Sequence, residues 1–350
     1  MTSKVSTWVG CLTLVLPACS NTPPPAAPET PSEQPAAVGV GERPATVQGE
    51  PEQPNPAASE ASVDPGLETD FAKMEADAER EAARLTPELR ESLAPLASVE
   101  YETVRAAYER LAASPHRTPG NAERDAQRHP VETLEFFGIK PSMTVLEYGP
   151  GAGWYTELLA PMLAAKGKLI VTSADPKGPR TERATLYGQR FARFLAKAPE
   201  LYGKVDVVVV DGKQPELGLQ EAADAALVIR GMHGWARNGS VQAWLSEIGT
   251  ALKPGGVLGI VQHRAAPGAD PVESAKLGYL PESWVIEQVE AAGFKLQEKS
   301  EINANPKDTR DHPEGVWALP PTLRLGDTDR EKYLAIGESD RMTLRFVKAE

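Results

Sequence analysis

Residues 145–154 read VLEYGPGAGW, and no other stretch of the 350-residue chain restricts the fold as much. A short aliphatic and β-branched run reaches the acid Glu147. Gly149, Gly151 and Gly153 follow at alternate positions, and WYTELLAPML continues with helical character. Strand, glycine turn and helix make the first crossover of an open α/β sheet. Glycine there lets the chain turn sharply and lets a ligand approach main chain that any Cβ would block. The spacing narrows the choice, because a dinucleotide fingerprint places glycines first, third and sixth, and the sixth residue here is Trp154.

Downstream the pattern alternates. Apolar runs predict strands at Thr144–Tyr148, Lys168–Ser173, 205–210, 225–229 and 257–262, with helices at 156–165, 184–197 and 241–252. The run VDVVVV suits a parallel strand covered on both faces. LKPGG at 252–256 predicts a positive-φ glycine stopping a helix before the fifth strand. A helix at 281–294, a strand at 295–302, an irregular stretch at 303–337 and a terminal strand at 342–349 complete the chain. Upstream, 67–113 reads helical, with Thr86 and Ser98 as N-caps and Val104, Tyr108 and Leu111 as a packing stripe. Residues 114–130 break that pattern. They gather His116, Arg117, Arg124, Asp125, Arg128 and His129 around the turn Pro119-Gly120-Asn121.

Cysteine chemistry is excluded from the body, since Cys11 and Cys19 are the only cysteines. No histidine pair has the spacing of HExxH, so no metal is expected. A net charge of −12 argues against nucleic acid as a partner. Half of that charge lies in residues 20–65, where seven acids face the single Arg43, so the remainder is only mildly acidic.

The first residues have the layout of an export leader: Lys4, then a mostly apolar segment too short to span a bilayer, then Leu16-Pro17-Ala18-Cys19. That tetrapeptide resembles a bacterial lipobox, in which the leader is cut before the cysteine and the cysteine carries lipid. Residues 1–18 are thus expected to be a lipoprotein-type signal peptide. Residues 19–65, rich in proline and poor in large apolar side chains, are expected to be a disordered tether. A helical segment at 66–113 and one domain at 114–350 follow. The expected location is a bacterial envelope, membrane-anchored through Cys19.

In an open parallel sheet, ligands bind outside the carboxyl ends of the strands. The first strand ends with Glu147 and the glycines. Asp175 follows the second, where an acid accepts both hydroxyls of a ribose. Asp211 and Gly212 follow the third, placed to accept from an adenine amino group. Surface acids after strands are common singly; three in succession are not. The fourth strand ends in Arg230-Gly231-Met232-His233-Gly234-Trp235 and the fifth in His263-Arg264.

Together these features resemble the class I S-adenosylmethionine (SAM)-dependent methyltransferases. They look closest to a poorly characterised branch of predicted bacterial enzymes that pairs SPHR, RD and RHPVETL with GWYTE and a final SDRM-L-F strand. Here those pieces are 114–117, 124–125, 128–134, 153–157 and 339–346. The resemblance implies a Rossmann-like sheet of seven strands with the last antiparallel, and SAM held by Glu147, Gly149, Gly151, Gly153, Asp175 and Asp211. It does not carry over an acceptor, which is expected to be a small molecule. Methyl transfer needs a base only for an acceptor protonated at neutral pH, and His233 or His263 could take that proton. Trp235 and Tyr155 either wall the pocket or pack. His116, Arg117, Arg128 and His129 either fold over the cofactor or pair with the acidic helices. Export separates the domain from cytoplasmic SAM, so an inactive ligand-binding module of the same fold is the alternative.

Overall fold

The computed structural model describes residues 65–349. The leader, Cys19 and nearly all of the proline-rich tether lie outside the described residues. Three helices come first: α1 (Pro65–Arg84), α2 (Pro87–Leu93) and α3 (Val104–Leu111). Thr86 caps α2 by accepting from the Leu89 amide, as expected. Ser98 caps nothing. It ends a 3-10 turn, and Thr103 caps α3 instead, accepting from the Ala106 amide. Two short helices, α4 (Asp125–Arg128) and α5 (Pro130–Phe136), lead into the sheet.

The alternating part runs β1 (Thr144–Tyr148), α6 (Thr156–Leu163), β2 (Lys168–Ser173), α7 (Arg183–Ala196), α8 (Pro199–Tyr202), β3 (Asp206–Val209) and β4 (Ala223–Ile229). It continues through α9 (Met232–Asn238), α10 (Val241–Ala251), β5 (Leu252–His263), α11 (Pro271–Lys276), α12 (Glu282–Ala291) and β6 (Phe294–Ser300), and ends with α13 (Arg330–Ile336) and β7 (Arg341–Lys348). Among the described residues the seven strands form one sheet in the order β3-β2-β1-β4-β5-β7-β6. All neighbours are parallel except β7, which runs antiparallel to β5 and β6. This is the Rossmann-like α/β arrangement expected. Its strand order reverses between β1 and β4, and a crevice opens at such a switch point.

Apolar side chains cover the two faces of the central strands separately. Leu158, Leu159, Leu163, Phe191 and Phe194 pack on one face, and Trp235, Trp244, Leu245, Ile248 and Val285 on the other. Salt bridges from Arg180 and Arg183 to Glu68, Glu75 and Asp70 tie α1 to the start of α7, around Leu67, Phe71, Met74 and Leu186. No helix among the described residues is long and apolar enough to cross a membrane.

Two further expectations need correction. β3 is not covered on both faces: Val207 is 41% exposed and Val209 52%. It is the edge strand, and residues 210–222, which include Gly212, Pro215 and Gly218, form a loop rather than a covering helix. LKPGG is also not a helix stop. α10 ends at Ala251 in extended backbone, and Gly255, with φ +71°, lies within β5 where the pairing with β4 shifts register.

Candidate active site

A cavity of about 310 Å³ opens at the switch point. Glu147, Gly149 and Gly151 line it from the glycine turn, Tyr155 from the start of α6, Ile229 and Arg230 from the end of β4, and His233 from the first turn of α9. His263 reaches it from the end of β5, Asn121, Arg124 and Arg128 from the segment before α5, and Trp317 and Pro320 from the insertion before β7. Gly149 and Gly151 have φ of +52° and +61°, and a Cβ on either would meet nothing within 4 Å. Their bare backbone therefore leaves room that a side chain would fill. The amides of Gly151 and Ala152 make no hydrogen bond within the described residues. Gly153 plays another part. Its Cβ would stand 2.5 Å from the Phe194 ring, so its bareness serves packing of the turn on α7, and it does not line the cavity.

Glu147 sits between Val171 of β2 and Leu227 of β4. Its Oε2 accepts a 2.8 Å bond from the Thr156 hydroxyl. Burial outweighs that bond and pushes the carboxyl up to about 7. Asp175 and Asp211 are exposed at the neighbouring strand ends and do not line the cavity. In each, Oδ1 accepts from the amide two residues on, Lys177 or Lys213, at 2.8 Å, and Oδ2 bonds to nothing within the described residues. The Gly212 carbonyl accepts from the Trp244 indole. The cavity thus brings together Glu147, Gly149, Gly151, His233 and His263, while Gly153, Asp175, Asp211 and Gly212 stay outside it.

The two histidine rings lie 5.9 Å apart. Burial lowers His233 to about 4 despite a long contact with the Gln262 amide, and lowers His263 well below its ordinary range. Both are neutral at neutral pH. His263 Nδ1 shares a 2.5 Å hydrogen bond with the Ser339 hydroxyl, and its Nε2 has no partner among the described residues. Trp235 packs, stacked on Trp244 at 5.5 Å. Tyr155 both packs and lines the cavity.

The basic segment does not pair with the acidic N-terminal helices. Arg117 is buried between Asp125 (2.5 Å) and Glu157 (3.3 Å). His116 Nε2 reaches the Glu157 carbonyl at 2.9 Å. Arg128 meets Glu338 at 2.9 Å and also lines the cavity. His129 carries φ +43° at the junction of α4 and α5. Arg230, Arg124, Glu338, Arg341 and Trp317 had no role assigned from sequence. The one available signal was the excess of arginine over acid in 114–130, which implies a carboxylate partner elsewhere. Trp317 lies in a single 3-10 turn, Gly315–Ala318, too short to leave a pattern to read.

A family model described as a methyltransferase domain matches residues 122–299, just over half of the chain. The chain belongs to the methyltransferase domain family. With the sheet order and the glycine turn, the methyltransferase is of class I and its cofactor is SAM. Similar solved structures include a SAM-dependent methyltransferase from Aquifex aeolicus, 18% identical, covering 71% of this chain and 99% of that one at a TM-score of 0.42. The N-methyltransferase NodS from Bradyrhizobium japonicum WM9 is 16% identical, with coverages of 65% and 97% and a TM-score of 0.41. The 1,6-didemethyltoxoflavin-N1-methyltransferase of Burkholderia thailandensis, with bound S-adenosylhomocysteine, is 15% identical, with coverages of 65% and 80% and a TM-score of 0.39. No curated protein matches the sequence. Among the described residues no group of three or more His, Cys, Asp or Glu could hold a metal. The methyltransferase site fits its cofactor. The turn offers bare backbone and unpaired amides, Glu147 faces the same cavity, and Asp175 and Asp211 each keep a carboxylate oxygen open at the next two strand ends.

Proposed function

We propose that this methyltransferase transfers a methyl group from SAM to a small-molecule acceptor, in a domain exported to a bacterial envelope and held at the membrane by lipid on Cys19. The observation that carries the chemical part is one cavity joining the glycine turn of β1 to two neutral histidines, in the first turn of α9 and at the end of β5. A volume of about 310 Å³ falls within the range of small-molecule pockets. Glu147, Gly149 and Gly151 would hold the amino-acid end of the cofactor, and Asp175 and Asp211 its ribose and adenine. Bound there, SAM supplies an electrophilic methyl carbon on a sulfonium.

What remains for the chain is orientation, exclusion of water and disposal of a proton. The residues lining the cavity would hold the acceptor's lone pair in line with that carbon, away from water. A proton shed by the acceptor passes to His263 Nε2, whose ring Ser339 orients through Nδ1. His233, 5.9 Å away, is the second proton acceptor.

Calorimetric titration of the purified chain with SAM and S-adenosylhomocysteine tests the cofactor assignment. Micromolar binding is expected, weakened at least about tenfold in Asp175→Ala through loss of a charged hydrogen-bond acceptor. No binding of either nucleoside overturns it. Membrane fractionation of Cys19→Ala tests the tether: the variant should be released, and retention on membranes refutes lipidation at that residue.

A further inference from the structure

The acceptor end of the cavity carries more positive charge than the protein itself balances. Glu338 is buried at the centre of four guanidinium groups. Arg341 Nη1 lies at 2.5 Å, Arg128 Nε at 2.9 Å, Arg124 Nε at 3.1 Å and Arg230 Nη1 at 3.8 Å. Four charges against one leave an excess of three. Nearby acids are committed elsewhere: Asp125 and Glu157 hold Arg117 and Lys197, and Asp340 holds Arg264 and Arg310. Glu147, even fully ionised, cancels one. Arg128 and Arg341 are buried while Arg124 and Arg230 keep a quarter of their surface open; buried charge without a partner is costly, so an anion entering the cavity would complete the cluster.

Arg128 and Arg230 both have N–H groups to give at the cavity. Arg128 is 3% exposed, and neither of its Nη atoms has a hydrogen-bond partner. Its guanidinium lies 4.8 Å from the Trp154 ring centre, which satisfies a face but not the N–H edge. Arg230, at φ +58° on the end of β4, makes no side-chain hydrogen bond among the described residues. Both line the cavity beside His233, His263 and Trp317. The cofactor does not supply the missing charge. Its α-carboxylate and α-ammonium cancel, and its sulfonium adds a further positive charge.

We propose that the acceptor is a small molecule bearing an oxyanion, a carboxylate or a phosphate, seated on the paired N–H edges of Arg230 and Arg128 with Trp317 against its organic body. Guanidinium binds either oxyanion through two parallel hydrogen bonds, which fixes direction as well as affinity. The proposal rests on the methyltransferase reading of the cavity and names the acceptor class for it.

The test uses the full chain, calorimetry, constant ionic strength, and sodium benzoate and inorganic phosphate as probes, with S-adenosylhomocysteine titrated separately. At least one probe should bind the S-adenosylhomocysteine-loaded protein. Arg230→Met should weaken that probe by about tenfold or more, the effect of losing a charged hydrogen-bond pair. Arg230→Lys should recover part of it, S-adenosylhomocysteine affinity should stay within about threefold, and the exposed control Arg80→Met should change neither. If Arg230→Met does not fold, Arg128→Met is read in the same way. Failure of both probes on loaded protein overturns the proposal. So does an Arg230→Met that loses S-adenosylhomocysteine as strongly as the probe, because the arginine would then serve the cofactor's carboxylate. If wild type binds no S-adenosylhomocysteine, the cofactor assignment fails by itself, and Arg230-dependent probe binding to the free chain still decides the anion site.

Discussion

Glu147 makes cofactor binding a proton-linked event. Burial between β2 and β4 pushes its carboxyl up to about 7 in the free chain. A ligand presenting an ammonium, as S-adenosylhomocysteine does, needs that carboxyl ionised. Apparent affinity should therefore follow the ionised fraction, roughly one part in eleven at pH 6 and ten in eleven at pH 8. The expected gain across that interval is about tenfold, or about 1.4 kcal/mol. Other groups at the site stay quiet in this window. His233 is lowered to about 4, His263 lies well below its ordinary range, and Arg230, brought down by burial to about 10, remains charged. Titration with S-adenosylhomocysteine from pH 6 to pH 8, in two buffers of different ionisation enthalpy, counts the protons. About 0.9 should be released at pH 6 and about 0.1 at pH 8. Glu147→Gln keeps a partner for the Thr156 hydroxyl and removes the titration. It also controls for any proton taken up by the ligand's own α-amino group. A flat affinity profile in wild type, or the same slope in Glu147→Gln, would refute the reasoning.

The same carboxyl sets a stability trend of opposite sign. Its folded value is raised above 4.5, so its contribution is present below that pH and lost as pH rises through about 7. By pH 8 thermal melts of the free chain should show Glu147→Gln gaining about 3 kcal/mol relative to wild type, compared with their difference near pH 4. Gly151→Ala should cost about 1–2 kcal/mol of stability from its left-handed backbone, yet abolish S-adenosylhomocysteine binding, because the new methyl enters the cavity. Gly153→Ala should cost about 1–3 kcal/mol more than Gly151→Ala in urea unfolding, because its methyl meets the Phe194 ring; equal stability of the two variants would count against the packing role. Arg117→Met leaves Asp125 and Glu157 buried without their guanidinium and should destabilise by about 3–5 kcal/mol in the same assay.

How much of this was legible from residues alone varies with the kind of signal. β1 and β2 begin and end where the apolar runs do, because glycine and charged residues flank them and both strands are buried. β3 misled because four consecutive valines satisfy a strand pattern wherever the strand lies. Edge position depends on what the 210–222 loop fails to become. The strand-end acids were readable as types and spacings, but whether a carboxylate lines the cavity or its rim depends on loop geometry. Asp175 and Asp211 each fold back onto an amide two residues on, which spacing along the chain does not encode. Glu338 and Arg124 are 214 positions apart, and nothing local to either predicts their meeting.

The paired sequence pieces SPHR and GWYTE acquire a physical reason only in three dimensions. Pro161 inside α6 has no N–H to give the carbonyl four residues earlier, that of Glu157. A buried carbonyl without a donor is costly, and His116 Nε2 supplies one from outside the helix at 2.9 Å. The role fixes the tautomer: Nε2 carries the proton, and Nδ1 accepts from the Ser114 hydroxyl at 2.8 Å. Burial lowers His116 to about 4 and keeps it neutral for this purpose. The Glu157 carboxylate then collects donors from the same segment: the Thr118 amide and hydroxyl, Asn121 and Arg117, with Lys197 of the α7 C-cap. Trp154 closes the arrangement by donating its indole N–H to the Asn121 carbonyl. Residues 114–121 are therefore fastened to the helix turn directly after the glycines, so displacing them would move the backbone that cradles the cofactor. The arginines of 124–128, which supply the cationic wall, are carried on that same fastening. A change at His116 should consequently disturb cofactor affinity and anion affinity together, although its ring lines neither.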